Sequence, residues 1–150
     1  MRNMAALGRA SLLQFSAIFD PRGDLTALEY ERDIPFLIKR VYYLYNVPVG
    51  AERGGHAHRQ LKQVLIALSG SFTIKLDTGT GMQSHFLNNP RCGLLLDRLV
   101  WREIVDFSQG AVCLCLASEQ YDPNDYIRDY QEFLRRVEDN TVGNDTLHSN

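Results

Sequence analysis

Short apolar or alternating runs follow one another at close spacing along most of the chain. The candidate strands are residues 12–19, 24–30, 37–47, 62–68, 70–77, 82–87, 93–96, 100–106 and 111–118. Turn-forming sequences separate them, such as Asp20-Pro21-Arg22-Gly23 and Asp77-Thr78-Gly79. Many short strands joined by turns predict an all-β sandwich or barrel rather than an α/β fold.

The periodicity becomes helical near the C-terminus. Between Asn124 and about Glu138, apolar residues recur at spacings typical of one helix face: Tyr126, Ile127, Tyr130, Phe133, Leu134 and Val137. Pro123 and Asn124 are residue types that begin helices. We expect one C-terminal helix packed on a single domain over residues 1–138, followed by a polar, flexible tail over residues 139–150.

Composition narrows the class of protein. The chain has 150 residues and a net charge of −2, which suits one domain with its own core and does not favour a broad nucleic-acid surface. No apolar run approaches the roughly 20 residues that span a bilayer, so no membrane partner is expected. Residues 2–19 faintly resemble a targeting segment, but Arg9 interrupts the apolar stretch, and we expect an ordinary first strand.

The cysteines favour a reducing compartment. Cys92, Cys113 and Cys115 are an odd number without the spacing of a disulfide framework, which predicts free thiols and a cytoplasmic protein. Cys113 and Cys115 would share one face of a strand. They could form a metal pair, but no second pair of cysteines or histidines accompanies them, and we favour buried core thiols.

The stretch from Gly50 to Gly70 carries the clearest candidate chemistry. His56 and His58 are two residues apart, so on an extended strand both side chains converge on one space. Gly50, His56, His58 and Gly70 have the spacing of the first cupin motif, with Gln63 at the position of its glutamate.

The second cupin motif usually supplies another histidine, and Arg102 stands at that position here. A cupin metal needs about four protein ligands. This chain keeps two, and a guanidinium repels a cation and cannot become a ligand. We therefore predict a site without a metal or a cofactor.

From about Phe19 to Phe133 the chain resembles the cupin sugar-nucleotide 3,4-ketoisomerases of the FdtA or WxcM-like group. The resemblance rests on Ile38-Lys39-Arg40-Val41-Tyr42-Tyr43, Arg53-Gly54-Gly55-His56-Ala57-His58, Trp101-Arg102-Glu103 and Asp125-Tyr126-Ile127-Arg128. It implies a cupin-type jelly-roll β-barrel with one C-terminal helix. It also implies a homodimer, often with exchanged N-terminal strands, that acts on a dTDP-linked 4-keto-6-deoxy sugar.

The resemblance assigns roles as well. The family's paired histidines correspond to His56 and His58, and its arginine to Arg53. Its tyrosine corresponds to the Tyr42-Tyr43 pair, whose members point to opposite strand faces, and we choose Tyr43. Where Arg102 stands, family members often have histidine.

The implied reaction moves the keto group from C4 to C3 through an enediolate, in deoxysugar biosynthesis. Imidazole titrates near neutrality, and we choose His58 as the base, with His56 orienting it or carrying the second proton. The oxyanion needs donors, for which Tyr43, Arg53 and Arg102 are candidates.

Other residues are candidates for substrate binding. Arg40, Arg53 and Arg102 suit a diphosphate, although Arg40 and Arg102 could equally be charges paired on the surface. We expect Gln63 beside the histidines, and Trp101 to be a core or base-stacking residue. His85 and His148 are expected on the surface, and the tyrosines and acids of residues 121–130 to be structural.

Three alternatives remain open. A 3,5-epimerase uses the same proton abstraction, a non-catalytic sugar-nucleotide binder is suggested by Arg102, and a metal-dependent cupin would contradict the ligand count. The sequence leaves the stereochemistry at C4 of the product and the nucleotide base undecided.

Overall fold

The computed structural model describes residues 10–145, which form two β-sheets and one α-helix. The strands are β1 (Ala10–Gln14), β2 (Arg40–Leu44), β3 (Arg53–His58), β4 (Gln63–Ser69), β5 (Phe72–Asp77), β6 (Met82–Leu87), β7 (Cys92–Leu96), β8 (Trp101–Val105), β9 (Val112–Ala117) and β10 (Tyr126–Ile127). A 3₁₀ turn (Pro123–Asp125) precedes β10, and helix α1 (Tyr130–Asp145) follows it.

The two sheets form a sandwich. One sheet has the strand order β1-β7-β4-β9-β2 and the other β10-β3-β8-β5-β6. Paired strands are antiparallel throughout, and the sheets are not closed by hydrogen bonds into one continuous barrel. The predicted all-β jelly roll with one C-terminal helix is confirmed, in the form of a sandwich.

Strand β4 reads as a continuous apolar run because both of its faces are covered. Leu65 and Ala67 face the cluster between the sheets, together with Phe72, Ile74 and Leu94. Val64 and Ile66 point to the other face and pack in a cluster with Leu13, Phe15, Ile34 and Phe36. The core therefore has an inner layer between the sheets and an outer layer on the first sheet.

The predicted strand over residues 24–30 is wrong. That segment is irregular, with isolated bridges between Ile18 and Leu25 and between Tyr30 and Ile34. Of its apolar side chains, Leu28 packs on the outer face of the first sheet, whereas Leu25 and Tyr30 are exposed. The first strand also differs, since β1 ends at Gln14 rather than continuing to residue 19.

The predicted start of the helix is also wrong. Asp122 caps the 3₁₀ turn by accepting from the backbone N–H of Asn124. Tyr126 and Ile127 then pair with β3, so α1 begins only at Tyr130. It continues to Asp145, past Glu138, and buries Phe133 against Trp101 and Ile127 on the second sheet. The rest of the expected tail lies outside the described residues.

No helix in the described part of the chain combines the length and the apolar character needed to cross a bilayer. The N-terminal residues in which a targeting segment would begin lie outside the described range.

Candidate active site

A cavity of about 290 Å³ lies between the two sheets at one end of the sandwich. Its lining comes from β2 and β4 of one sheet, from β3, β8 and β10 of the other, and from the segment before the 3₁₀ turn. The lining residues are Arg40, Tyr42, Leu44, Arg53, Gly54, His56, Gln63, Leu65, Arg102, Ile104, Tyr121 and Tyr126. Most of the residues predicted from the sequence therefore meet in one place.

Two glycines determine how His56 enters this cavity. Gly54 and Gly55 have φ of 87° and 76°, in the left-handed region that favours glycine. A Cβ on Gly54 would approach the carbonyl oxygen of Arg102 to 3.0 Å. The pairing of β3 with β8 shifts register between Gly54 and His56, and this irregularity brings His56 opposite Arg102.

The two histidines occupy different positions. His56 lines the cavity, whereas the side chain of His58 is 1% exposed and is not part of the lining. Their rings meet edge to face with centroids 4.8 Å apart, and the ring of Tyr126 packs on both. His56 is therefore the imidazole that a bound molecule would contact.

Asp125 holds His58 from behind. Its Oδ2 lies 3.1 Å from His58 Nδ1, and its Oδ1 accepts from the backbone N–H of Gln60 at 2.8 Å. The sequence predicts a structural role for Asp125. No spacing rule could have paired it with His58, since the two are 67 residues apart in the chain.

Both histidines are neutral at physiological pH. Burial, and then the charge of Arg102, lower the pKa of His56 to about 4 and that of His58 to about 2. The His58–Asp125 contact is thus a hydrogen bond to a neutral ring, in which Nδ1–H donates to the carboxylate. Nε2 of His58 is then a bare lone pair, and it is buried without a partner among the described residues.

Arg102 is a buried cation at the base of the cavity. Its side chain donates to the carbonyl oxygen of Val100 through Nε at 3.3 Å and Nη2 at 2.9 Å, and to Oε1 of Gln63 through Nη1. Burial lowers the pKa of Arg102 to about 10, which leaves it charged at neutral pH. No ion pair within residues 10–145 includes it. Since an unpaired buried charge is costly, the cavity favours an anion.

The choice of tyrosine is corrected. The two tyrosines do point to opposite faces, but it is Tyr42 that lines the cavity, while Tyr43 is 57% exposed and packs near Tyr45. The register with β9 explains this, because it pairs Tyr42 with Cys115, whose side chain is in the inner core. Tyr42 replaces Tyr43 as the candidate.

Two further arginines stand at the cavity. The guanidinium of Arg40 lies 5.1 Å from the ring centroid of Tyr42 and 5.6 Å from that of Tyr121, and its buried Nε has no hydrogen-bond partner in the described part of the chain. Arg53, at the start of β3, is exposed and lines the same cavity. Both can reach a ligand that enters from solvent.

Trp101 is a core residue. It is 7% exposed, packs with Tyr130 and Phe133 of the helix, and does not line the cavity. Besides Tyr42, the tyrosines that line the cavity are Tyr121 and Tyr126, for which the sequence predicts a structural role. His85 lies on β6, away from the cavity, and His148 lies outside the described residues.

The donor set does not fit the metal that many cupins hold. Gln63 is bonded to Tyr42 and Arg102, and a guanidinium lies where a third histidine would be needed. Within residues 10–145, no three of the histidine, cysteine and acidic side chains are placed to share an ion. The predicted pair of buried thiols is confirmed, since Cys113 and Cys115 are free and 0% exposed.

The fold and the cavity define a class: a cupin-type jelly-roll protein whose cavity combines neutral imidazoles with a buried cation. Comparison with known proteins is more specific. The WxcM-like, C-terminal family (FdtA) matches residues 9–138. The chain belongs to this family.

Relatives and solved structures agree. The chain is 44% identical, over 84% of its length and 91% of the relative's, to a TDP-4-oxo-6-deoxy-alpha-D-glucose-3,4-oxoisomerase from Aneurinibacillus thermoaerophilus. A 3,4-ketoisomerase from Helicobacter canadensis matches with a TM-score of 0.84 and 49% identity, covering 86% of this chain and 97% of that one. A histidine-to-asparagine mutant of the 3,4-ketoisomerase QdtA from Thermoanaerobacterium thermosaccharolyticum, in complex with TDP-4-keto-6-deoxyglucose, matches with a TM-score of 0.84 and 45% identity, covering 87% and 94%.

Proposed function

We propose that this protein is a 3,4-ketoisomerase that moves the keto group of a TDP-linked 4-keto-6-deoxy sugar from C4 to C3. The observation that carries the proposal is the pairing of a neutral imidazole, His56, with the unpaired buried cation of Arg102 in one cavity. Proton abstraction beside a ketone needs a base and a stabilised oxyanion, and this cavity offers both. The activity of the relatives supports the same conclusion.

The base in this proposal is His56 rather than His58. The structure changes the choice because His56 lines the cavity and His58 lies behind it. His56 removes the proton from C3, and the electron pair moves to the C4 carbonyl oxygen to give an enediolate. The proton of the C3 hydroxyl then passes to the C4 oxygen and the imidazolium returns its proton to carbon C4, so that C3 becomes the new ketone and C4 carries the hydroxyl. No oxidant or reductant is consumed.

The enediolate is stabilised by fixed donors. Arg102 supplies a permanent positive charge, and its surroundings hold it without any movement during the reaction. Tyr42, which lines the same cavity, is the second donor. Charge that develops in a buried site is stabilised more strongly than in water.

His58 and Asp125 position the base. The carboxylate fixes the tautomer and orientation of His58, and the edge-to-face contact at 4.8 Å passes that orientation to His56. The ring of Tyr126 confines both imidazoles from a third direction.

The nucleotide binds at the solvent side of the cavity. Arg40 and Arg53 have the planar fork that fits a diphosphate. Tyr121 is 62% exposed at the same side and offers a flat surface to the base.

We also propose a homodimer with exchanged N-terminal strands in a cytoplasmic protein. Among the strands of residues 10–145, β1 is at the edge of its sheet and pairs with β7, and a second copy can make the same pairing. On the opposite edge, Val41, Tyr43 and Tyr45 expose apolar surface at 54%, 57% and 61%. The three free cysteines support a reducing compartment.

The activity is tested with dTDP-4-keto-6-deoxyglucose in D₂O, followed by NMR of the sugar. We expect a 3-keto product with solvent deuterium at C4 and wash-in at C3 of remaining substrate. Exchange at C5 would indicate a 3,5-epimerase, and tight binding without exchange a non-catalytic binder. Activity lost on chelation and restored by one metal would contradict the metal-free mechanism. Size-exclusion chromatography with light scattering tests the dimer.

A further inference from the structure

A buried hydrogen-bonded chain of three side chains crosses the cavity from one sheet to the other. Arg102 on β8 donates through Nη1 to Oε1 of Gln63 on β4, and Nε2 of Gln63 donates to the hydroxyl of Tyr42 on β2 over 2.6 Å. Gln63 is 2% exposed, and both ends of its amide have protein partners. All three residues line the cavity beside His56.

The direction of these hydrogen bonds is determined by Arg102. A guanidinium has donors and no acceptor, so the amide oxygen of Gln63 must face it. The amide nitrogen therefore faces Tyr42, where the hydroxyl oxygen has to accept. A phenol that accepts a hydrogen bond from one neighbour can still donate its own O–H to another group.

We propose that Gln63 is a positioning residue, anchored by Arg102, that makes the Tyr42 hydroxyl a hydrogen-bond donor to the enediolate. This inference rests on the proposed function for the chemistry that it serves. It assigns Gln63 a task different from direct contact with the substrate.

The surroundings of Tyr42 are consistent with that task. Burial, and then the neighbouring Cys115, raise the pKa of Tyr42 well above its usual value, so the phenol keeps its proton at physiological pH. The Cys115 thiol is a further polar group near this hydroxyl, and sulfur is a weak acceptor. A negative oxygen in the cavity is a much stronger one.

The direction of these two hydrogen bonds also explains why residue 63 is an amide rather than a carboxylate. A carboxylate there would still pair with Arg102, but it has no N–H to donate to Tyr42 and would instead accept a hydrogen bond from the tyrosine hydroxyl. Gln63→Glu therefore reverses one hydrogen bond while keeping the side-chain length and the contact with Arg102. It is the sharpest variant for the test.

The kinetic experiment compares wild type, Q63E, Y42F and the double variant on dTDP-4-keto-6-deoxyglucose, with EDTA present because Q63E places a carboxylate beside two imidazoles. We expect kcat to fall about 100-fold in Q63E, the effect of removing one oxyanion donor, with KM changed less than about threefold. Y42F should lose a similar factor, and Q63E should add less than about twofold in the Y42F background, because the two act as a unit. Gln83→Glu on the exposed β6 strand is the matched control and should behave as wild type.

A second readout does not depend on turnover. In Q63E the Tyr42 hydroxyl proton is held by a carboxylate, so proton NMR should show a slowly exchanging hydroxyl signal that disappears in the Q63E/Y42F double variant and is absent from wild type. Arg102→Met, which frees the Gln63 amide to turn over, should also produce this signal. If the wild-type protein does not turn over the sugar, the proposed function is overturned, but the NMR signal still tests the hydrogen-bond direction between Gln63 and Tyr42.

Three results would overturn the inference. The first is a kcat of Q63E equal to that of wild type. The second is a double variant in which the fold-losses of kcat from Q63E and Y42F multiply. The third is the same slowly exchanging hydroxyl signal in wild type. If Q63E does not fold, the signal in Arg102→Met decides, and its absence there counts against the inference.

Discussion

The two ends of the inner face of the sandwich are built by the same strands but have opposite character. On β4 the inward positions are Gln63 and then Leu65, and on β8 they are Arg102 and then Ile104. The first of each pair belongs to a polar, charged cavity, and the second begins the apolar core. On each strand, the side chain that lines the cavity and the side chain that packs in the apolar core are therefore only two residues apart.

This division has an energetic reason. A buried arginine without a carboxylate partner costs several kcal/mol. Each fully buried leucine, isoleucine or phenylalanine contributes about 1.5–3 kcal/mol, and the apolar end holds Phe72, Ile74, Leu76 and Leu94 at 0% exposure. The apolar end therefore stabilises a fold whose other end is arranged for reaction. Substitutions at the two ends should consequently affect different measurements.

The largest effect is expected at the polar end from His56→Asn. Removal of the base should lower kcat about 1,000-fold without loss of folding, because general-base catalysis contributes 10²–10⁴-fold. Steady-state kinetics and circular dichroism measure the two properties. His85→Asn on β6 is the matched control. Near-normal turnover in His56→Asn together with an inactive His58→Asn would return the role of base to His58.

The converse is expected at the apolar end. Leu94→Ala should lower the free energy of unfolding by about 3 kcal/mol, because it leaves a cavity in the inner core. Turnover of the folded protein should stay within about twofold of wild type, since Leu94 does not line the active-site cavity. Urea unfolding with parallel kinetics checks this. A large fall in kcat at unchanged stability would contradict the separation of the polar, reactive end from the apolar, stabilising end.

Arg102→Met probes the buried cation. We expect kcat to fall about 100-fold, because the enediolate loses its charged donor. Arg102 also helps to lower the pKa of His56, so without it the acid limb of the kcat/KM profile should move up from about 4 towards 6.5. A pH profile of the variant measures both. An acid limb that stays in place would show that Arg102 does not act on His56.

The last prediction concerns the dependence of stability on pH, and its effect per pH unit is the smallest. The pKa of His56 is lowered from 6.5 to about 4 in the folded protein, so below 6.5 the unfolded chain binds more protons than the folded one. The free energy of unfolding should therefore decrease as the pH falls from 6.5 to about 4, by up to about 1.4 kcal/mol per pH unit from this group. Urea midpoints across this range in wild type and His56→Asn isolate its part. Equal slopes in both would contradict the assignment.

Much of the fold followed from local patterns. The run from Val64 to Ala67 reads as a strand because its neighbours cover both faces. The failures have a common cause, which is competition between local preference and tertiary contacts. Residues 24–30 have strand-like apolar residues, but the segment forms isolated bridges instead of a strand, and its Leu28 packs on the outer face of a sheet. Tyr126 and Ile127 have helical spacing, but their backbone pairs with β3 as a short strand instead of forming the first turn of the helix.

The sequence by itself determined the chemistry available to this protein. The His56-x-His58 spacing, the amide of Gln63 and the cation of Arg102 in place of ligands excluded the usual cupin donor set, since these properties belong to residue type and spacing. Only the tertiary structure decided which groups face the cavity. The bulge at Gly54 turns His56 towards it, the register with β9 selects Tyr42 over Tyr43, and Asp125 reaches His58 from a distant turn. Orientation depends on register and long-range packing, which local sequence patterns do not specify.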